Sequence, residues 1–342
     1  RAALALTAEL GEWVRTRRKP AFLHLRTVRF GGHAGTDVES AYRTPAEIRA
    51  DSDRDPILAT ARALVESGSH SGASLAARHD ELRDMVYETA ASVADLAQLK
   101  TADVVMAPLA PRNPQELARV VLGGTSNPKP NPAAAPATPL TLAQSINATL
   151  ADLLREHPEV IIFGEDVAAK GGVYGVTKGL LSQAGAARVF DTLLDETSIL
   201  GLALGTAISG FVPIAEIQYL AYLHNAQDQL RGEAATLQFF SNGQYRNGMV
   251  VRIAGLGYQE GFGGHFHNDD SLTVLRDLPG VVVAVPARPD DAAAMLRTLA
   301  ASAQLDGTVG VFVEPIARYH TTDMLAAGDK AWLAAPNPNV HV

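Results

Sequence analysis

Arg188-Val-Phe-Asp-Thr-Leu-Leu-Asp-Glu196-Thr-Ser-Ile-Leu-Gly-Leu-Ala-Leu-Gly-Thr-Ala207 passes from a short apolar run through a polar break into a second apolar run. The first run reads as a strand, and Ile199 to Ile208 reads as a helix. One carboxylate, Glu196, is thereby delivered to a buried strand-to-helix junction with no cation beside it in sequence. A carboxylate so placed needs a partner. A helix N-terminus favouring negative charge is the plain reading of it.

The same alternation continues on both sides. Leu142, Ile146, Leu150 and Leu153 make one helical face, and Val160-Ile-Ile-Phe163 reads as a buried strand. Val212 to Ile217, Met249 to Ile253, Val281 to Val285 and Val309 to Val313 supply further strands. Short apolar strands alternating with helices predict a parallel sheet covered on both faces. Sites in such sheets gather at the strand C-terminal ends, where Glu165, Glu216 and the loop from Gly255 to Ser271 fall. Upstream, Gly123 to Pro139 is Pro-rich without apolar periodicity and reads as a linker, so the domain boundary is expected at 123–138.

The segment before the linker reads as mainly helical. An amphipathic helix opens the chain, Ile57 to Val65 repeats at helical spacing, and a long helix is expected from about Leu75 to Leu99. Pro20 to Phe30 alternates like a half-buried strand and breaks at Gly31-Gly32 into a loop carrying His33 and Asp37. Arg1 opens with no start signal, and Asn337-Pro-Asn-Pro-Asn-Val-His-Val342 ends in turn-like chemistry, so the chain is expected to be cut from something longer.

Composition narrows the classes. The 342 residues are 47% hydrophobic and 19% charged, with a net charge of -8, which argues against nucleic-acid and anionic-membrane partners. The absence of cysteine excludes disulfides, thiolate metal sites and thiol nucleophiles and fits a cytoplasmic protein. No signal peptide or membrane-length apolar run is present.

The loop Gly255-Leu-Gly-Tyr-Gln-Glu-Gly-Phe-Gly-Gly-His-Phe-His-Asn-Asp-Asp-Ser271 permits close backbone approach to a ligand. A phosphate cradle lacks the following Lys-Ser/Thr and the dinucleotide glycine spacing. Asp269 or Asp270 is expected to cap a helix over Leu272 to Leu278. The loop's histidines, His265 and His267, could ligate a metal with Asp269, and a histidine suits proton transfer near neutrality. Tyr222 and His33, taken singly, read as packing and as an ordinary loop histidine. For Glu196, an aminopyrimidine ring nitrogen is one partner that would use the carboxyl.

Taken together, Phe163-Gly-Glu-Asp-Val167, Gly171-Gly-Val-Tyr-Gly-Val-Thr-Lys-Gly-Leu180, Phe190 to Glu196, Ile214-Ala-Glu-Ile-Gln-Tyr219, Gly263 to Ser271 and Val313-Glu-Pro315 resemble the beta chain of thiamine-diphosphate-dependent 2-oxo acid dehydrogenases. The pieces occur in family order over about residues 139–325, the span of a transketolase-like pyrimidine-binding domain. Arg26 to His33, Ala41-Tyr-Arg-Thr44 and Arg54-Asp-Pro-Ile57 resemble the C-terminal part of the alpha chain, over residues 1–122. The resemblance implies an alpha-beta fusion or a piece of one, with 326–342 beginning a connection to a further domain.

It also implies an activity: oxidative decarboxylation of a 2-oxo acid, branched-chain favoured over pyruvate, with acyl transfer to a lipoyl group on a partner acyltransferase. Glu196 takes the catalytic glutamate position, bonding the aminopyrimidine nitrogen. His267 and His33 take the beta-chain and alpha-chain histidine positions, suited to proton transfer, with His33 and Tyr222 also near the cofactor. Leu194 and Gln218 match positions lining the substrate side. A homo-oligomer is expected by the same likeness.

Departures qualify the likeness. Asn268-Asp-Asp270 stands where the family commonly has Ser-Gln-Ser, and Ala34 follows His33 where some relatives carry a phosphorylated serine. The Gly-Asp-Gly motif that holds magnesium and diphosphate does not occur in this sequence, so those ligands are expected outside it, and weak affinity of this chain alone for the cofactor follows. Three other readings fit parts of the sequence: another transketolase-type enzyme, a non-catalytic assembly module, and a hydrolase with a metal on His265, His267 and Asp269.

Overall fold

The computed structural model describes residues 2–107, 109, 113–121, 138–260 and 263–335. Packing divides the chain into two units, Arg1–Gln98 and Leu99–Val342. The linker expected at 123–138 lies, up to residue 137, outside the described residues, as do Gly261, Phe262 and the closing 336–342.

The first unit contains α1 (Ala2–Arg17), α2 (Pro45–Ser52), α3 (Pro56–Glu66) and α4 (Gly72–Ala94). Side chains start the last three. Thr44 and Glu47 form a capping box ahead of α2, Asp55 accepts from the Ile57 amide at the head of α3, and Ser71 and Ser74 cap α4. That cap starts α4 before Leu75, and the helix ends at Ala94, short of the expected Leu99. The strand expected over Pro20 to Phe30 does not form. No described strand lies in this unit to pair with it, and Phe22 is 91% exposed.

The second unit is built on one parallel sheet. Its strands are β1 (Val160–Gly164), β2 (Val189–Asp191), β3 (Val212–Ile217), β4 (Met249–Gly255), β5 (Val281–Ala284) and β6 (Val309–Pro315), in the order β2-β1-β3-β4-β6-β5. Helices occupy both faces, as expected of an α/β chain. Before and between the strands run α5 (Ala102–Met106), α6 (Pro114–Val121), α7 (Leu142–Glu156), α8 (Leu180–Ala184), α9 (Glu196–Ile208), α10 (Leu220–Leu223), α11 (Leu237–Phe240), α12 (Gly264–His267), α13 (Thr273–Arg276) and α14 (Pro289–Asp306).

Strand parity decides which face each side chain serves. Val160, Ile162, Ile214, Val250 and Phe312 pack under α7 and α14. Their neighbours Ile161, Phe163, Ala215, Ile217, Val251, Ile253 and Val313 pack under α9 and the segment after β3. Both faces being covered, the central strands are buried throughout. At the edge, β5 ends at Ala284 rather than Val285, and its Val282 and Val283 remain partly exposed. Gly248 brings α14 against the start of β4, since a Cβ there would fall 1.9 Å from the Ala303 carbonyl oxygen.

Candidate active site

Glu196 is the first residue of α9, capped by Asp195, whose side chain accepts from the Ser198 amide at 3.2 Å. The carboxylate is buried, with the residue 6% exposed, and no salt bridge engages it among the described residues. Its described side-chain partner is neutral: Asn225 Nδ2 donates to Glu196 Oε2 at 3.2 Å. Glu165, following β1, is a second carboxylate nearby. Burial first, then the charges of Asp166 and Glu196, push its carboxyl above the usual range.

Asn225 belongs to a segment that follows α10. The Tyr222 hydroxyl, on α10, lies 3.4 Å from His267 Nε2, and His224 Nε2, next to Asn225, lies 3.0 Å from Asp269 Oδ2. His267 also meets Tyr219 edge-on, with ring centroids 4.4 Å apart. Its Nδ1 sits 3.0 Å from the carbonyl oxygen of Gly263, which adopts φ +67°, where a Cβ would fall 2.1 Å from Nδ1. The histidine therefore requires glycine at that turn.

Helix capping by Asp269 or Asp270 does not occur. The expected helix over Leu272 to Leu278 is one turn, α13, whose N-cap is Leu272 without a side-chain bond. Asp269 instead accepts from the Ser271 amide and hydroxyl and pairs with His224. Burial opposes its charge, and these donors outweigh it, holding its carboxyl below the usual range.

Beneath the same strand ends, on the α7 and α14 face, lies a buried charged cluster. Arg252 is 1% exposed; it donates to both oxygens of Glu314 at 2.6 and 3.0 Å and to Glu216 Oε2 at 2.8 Å. Tyr319 OH donates to Glu314 Oε2 at 2.6 Å. Burial first pushes the Glu216 carboxyl up, against the attraction of Arg252 and with the repulsion of Glu314, to about 7.

The structure thus brings Glu196, Tyr222 and His267 to one end of the sheet through residues 222–225. Leu194, in the turn before α9, is 73% exposed, and Gln218, just past β3, is partly buried with its Nε2 lacking a hydrogen-bond partner among the described residues. His33 lies in the first unit, where its amide donates to Asp37 Oδ2 at 2.5 Å. Sequence reasoning missed Asn225 and the His224 to Asp269 pair. The signal was two polar residues directly after the apolar run Tyr219 to Leu223.

A buried carboxylate whose described side-chain partner is a neutral amide is open to a hydrogen bond with the ring nitrogen of a bound heteroaromatic group. These residues fit the pyrimidine half of thiamine diphosphate. Among the described residues, no three His, Asp or Glu side chains converge as a metal site, so the grouping of His265, His267 and Asp269 is not assembled as one. His265 instead lies against Phe266, with ring centroids 4.0 Å apart and the planes tilted by 36°. No described helix is long and apolar enough to cross a membrane.

Comparison with known proteins bears on this arrangement. The family described as "Transketolase, pyrimidine binding domain" matches residues 138–315, and "Dehydrogenase E1 component" matches residues 2–101. The chain is 38% identical over 187 residues to the 3-methyl-2-oxobutanoate dehydrogenase subunit beta of Mycobacterium tuberculosis, covering 54% of this chain and 52% of that protein. It is 38% identical over 162 residues to the pyruvate dehydrogenase E1 component subunit beta of Staphylococcus epidermidis, covering 46% and 48%. The chain therefore spans about half the length of these curated relatives. A solved structure of a split-gene transketolase, an inactive beta4 tetramer, overlaps 59% of this chain and 55% of its own at a TM-score of 0.38 and 18% identity.

Proposed function

We propose that this chain, which belongs to the family of the transketolase pyrimidine-binding domain, is part of the decarboxylating component of a 2-oxo acid dehydrogenase complex. The observation that carries the proposal is the Glu196 carboxylate, buried at the head of α9 and bonded by an amide instead of a cation. The match of residues 2–101 to the dehydrogenase E1 component supports this over another transketolase-type enzyme.

Thiamine diphosphate, when bound, supplies the electron sink that lets carbon dioxide leave a 2-oxo acid. Glu196 would hold the pyrimidine nitrogen through its carboxyl, with Asn225 bonding Oε2. Tyr222 would pack beside the ring, and His267 would be placed to move a proton at Nε2. Leu194 and Gln218 line the substrate side, where the unpartnered Gln218 amide offers a donor to a substrate oxygen. For His33 we propose proton handling on the alpha-like half, residues 1–122.

The substrate class is a branched-chain 2-oxo acid, with pyruvate second, and the acyl group passes to a lipoyl arm of a partner acyltransferase. Mg2+ and the diphosphate are held by residues outside this chain. The assembly is cytoplasmic and homo-oligomeric.

The test is decarboxylation of 3-methyl-2-oxobutanoate and pyruvate by the full-length protein with thiamine diphosphate and Mg2+, wild type against Glu196→Gln. We expect cofactor-dependent turnover that falls by at least about 100-fold in the variant. A variant as active as wild type would refute the role of Glu196.

A further inference from the structure

The two proton-handling groups of the proposed function lie on different elements: Glu196 heads a helix, and His267 sits in the glycine-rich loop after β4. What joins them is one short stretch, Tyr222 to Asn225. Asn225 is tied to α9 twice, since its side chain donates to Glu196 and its carbonyl oxygen accepts from Thr197 Oγ1 at 3.0 Å. His224 is tied to the loop through Asp269, which is itself fixed by the amide and hydroxyl of Ser271. Tyr222 reaches His267 directly. The stretch is anchored below by Leu220, Leu223 and Ala226, all buried in the core under α9.

We propose that residues 222–225 act as a brace that fixes the Glu196 carboxylate and the His267 loop relative to each other, with Asn225 and His224 as positioning residues. The chemical consequence rests on the function proposed above; the brace itself does not. Asn225 restrains the rotamer of Glu196 by bonding Oε2. The His224 to Asp269 pair holds the turn that follows His267, so losing either contact loosens one reacting group without touching the other.

The experiment uses the full-length protein with Asn225→Ala, Asn225→Gln, His224→Phe and His224→Gln, the glutamines retaining a donor. Hydrogen exchange of the cofactor-free protein is read over residues 194–200 and 263–272, together with the global unfolding midpoint. Asn225→Ala should speed exchange about 10-fold in the first window, and His224→Phe about 10-fold in the second, with the midpoint nearly unchanged. The glutamine variants should recover most of the protection. With thiamine diphosphate, Mg2+ and 3-methyl-2-oxobutanoate, Asn225→Ala should lower kcat about 10-fold while KM and cofactor Kd change less than about 3-fold.

Unchanged exchange in both windows overturns the brace. Faster exchange with unchanged kcat overturns the positioning role. A wild-type protein without turnover, yet with the expected exchange pattern, keeps the brace and removes the proposed function.

Discussion

Arg252 faces two carboxylates in a buried site, so the cluster with Glu216 and Glu314 carries one negative charge too many for a dry interior. Among the described residues, Glu314 receives a two-pronged contact from Arg252 and the Tyr319 hydroxyl, whereas Glu216 has the single Arg252 contact. The neutral partner is therefore Glu216, consistent with its carboxyl being raised to about 7. An unfolded glutamate titrates near 4.5, so from about 4.5 to 7 the folded chain holds a proton that the unfolded chain has lost. This group's stabilisation is full below 4.5 and disappears as pH rises through 7. Urea unfolding across that window should show Glu216→Gln flattening the fall by on the order of 1–3 kcal/mol. Arg252→Met should instead destabilise by roughly 3–5 kcal/mol at pH 7, because it leaves the buried Glu314 carboxylate without its cation and Glu216 without its donor. An Arg252→Met variant as stable as wild type would show that the cluster is not closed as described.

The elements are held by close approaches that periodicity does not reveal. Gly248 is an example, because its missing Cβ admits the α14 backbone at Ala303. Gly248→Ala should cost about 1–3 kcal/mol by thermal or denaturant unfolding, with the loss arising from displacement of α14. An unchanged midpoint would mean that the helix shifts freely. The strands in the middle of the sheet were legible as apolar runs, since burial on both faces demands apolar side chains at every position. Their charged exceptions, Glu216, Arg252 and Glu314, were not recognised as a cluster, because pairing in the sheet depends on strand order. Pro20 to Phe30 failed for the converse reason: alternation without a neighbouring strand does not make a strand.

The two units differ in how much they bury. Every fully buried hydrophobic side chain among the described residues falls between Leu142 and Tyr319, and none lies in residues 2–98. Ile57, Leu58, Val65 and Val86 are instead exposed. A fragment of residues 99–342 should therefore unfold cooperatively, and one of residues 1–98 should not, since burial is the main term opposing chain entropy. A sharp calorimetric transition from the smaller fragment would contradict this. The fold class was legible because helix and strand periods survive in the linear chain, and the stretches carrying Glu196, His267 and Tyr222 stood out through their likeness to family motifs. By itself, the sequence determined the parallel α/β sheet and the types of the groups at its strand ends. Only the tertiary structure decided that Asn225 meets Glu196, that His224 meets Asp269 and that Arg252 lies between two glutamates. Those pairs span 29, 45 and up to 62 residues, and their contacts follow from strand order and loop return, which no local pattern encodes.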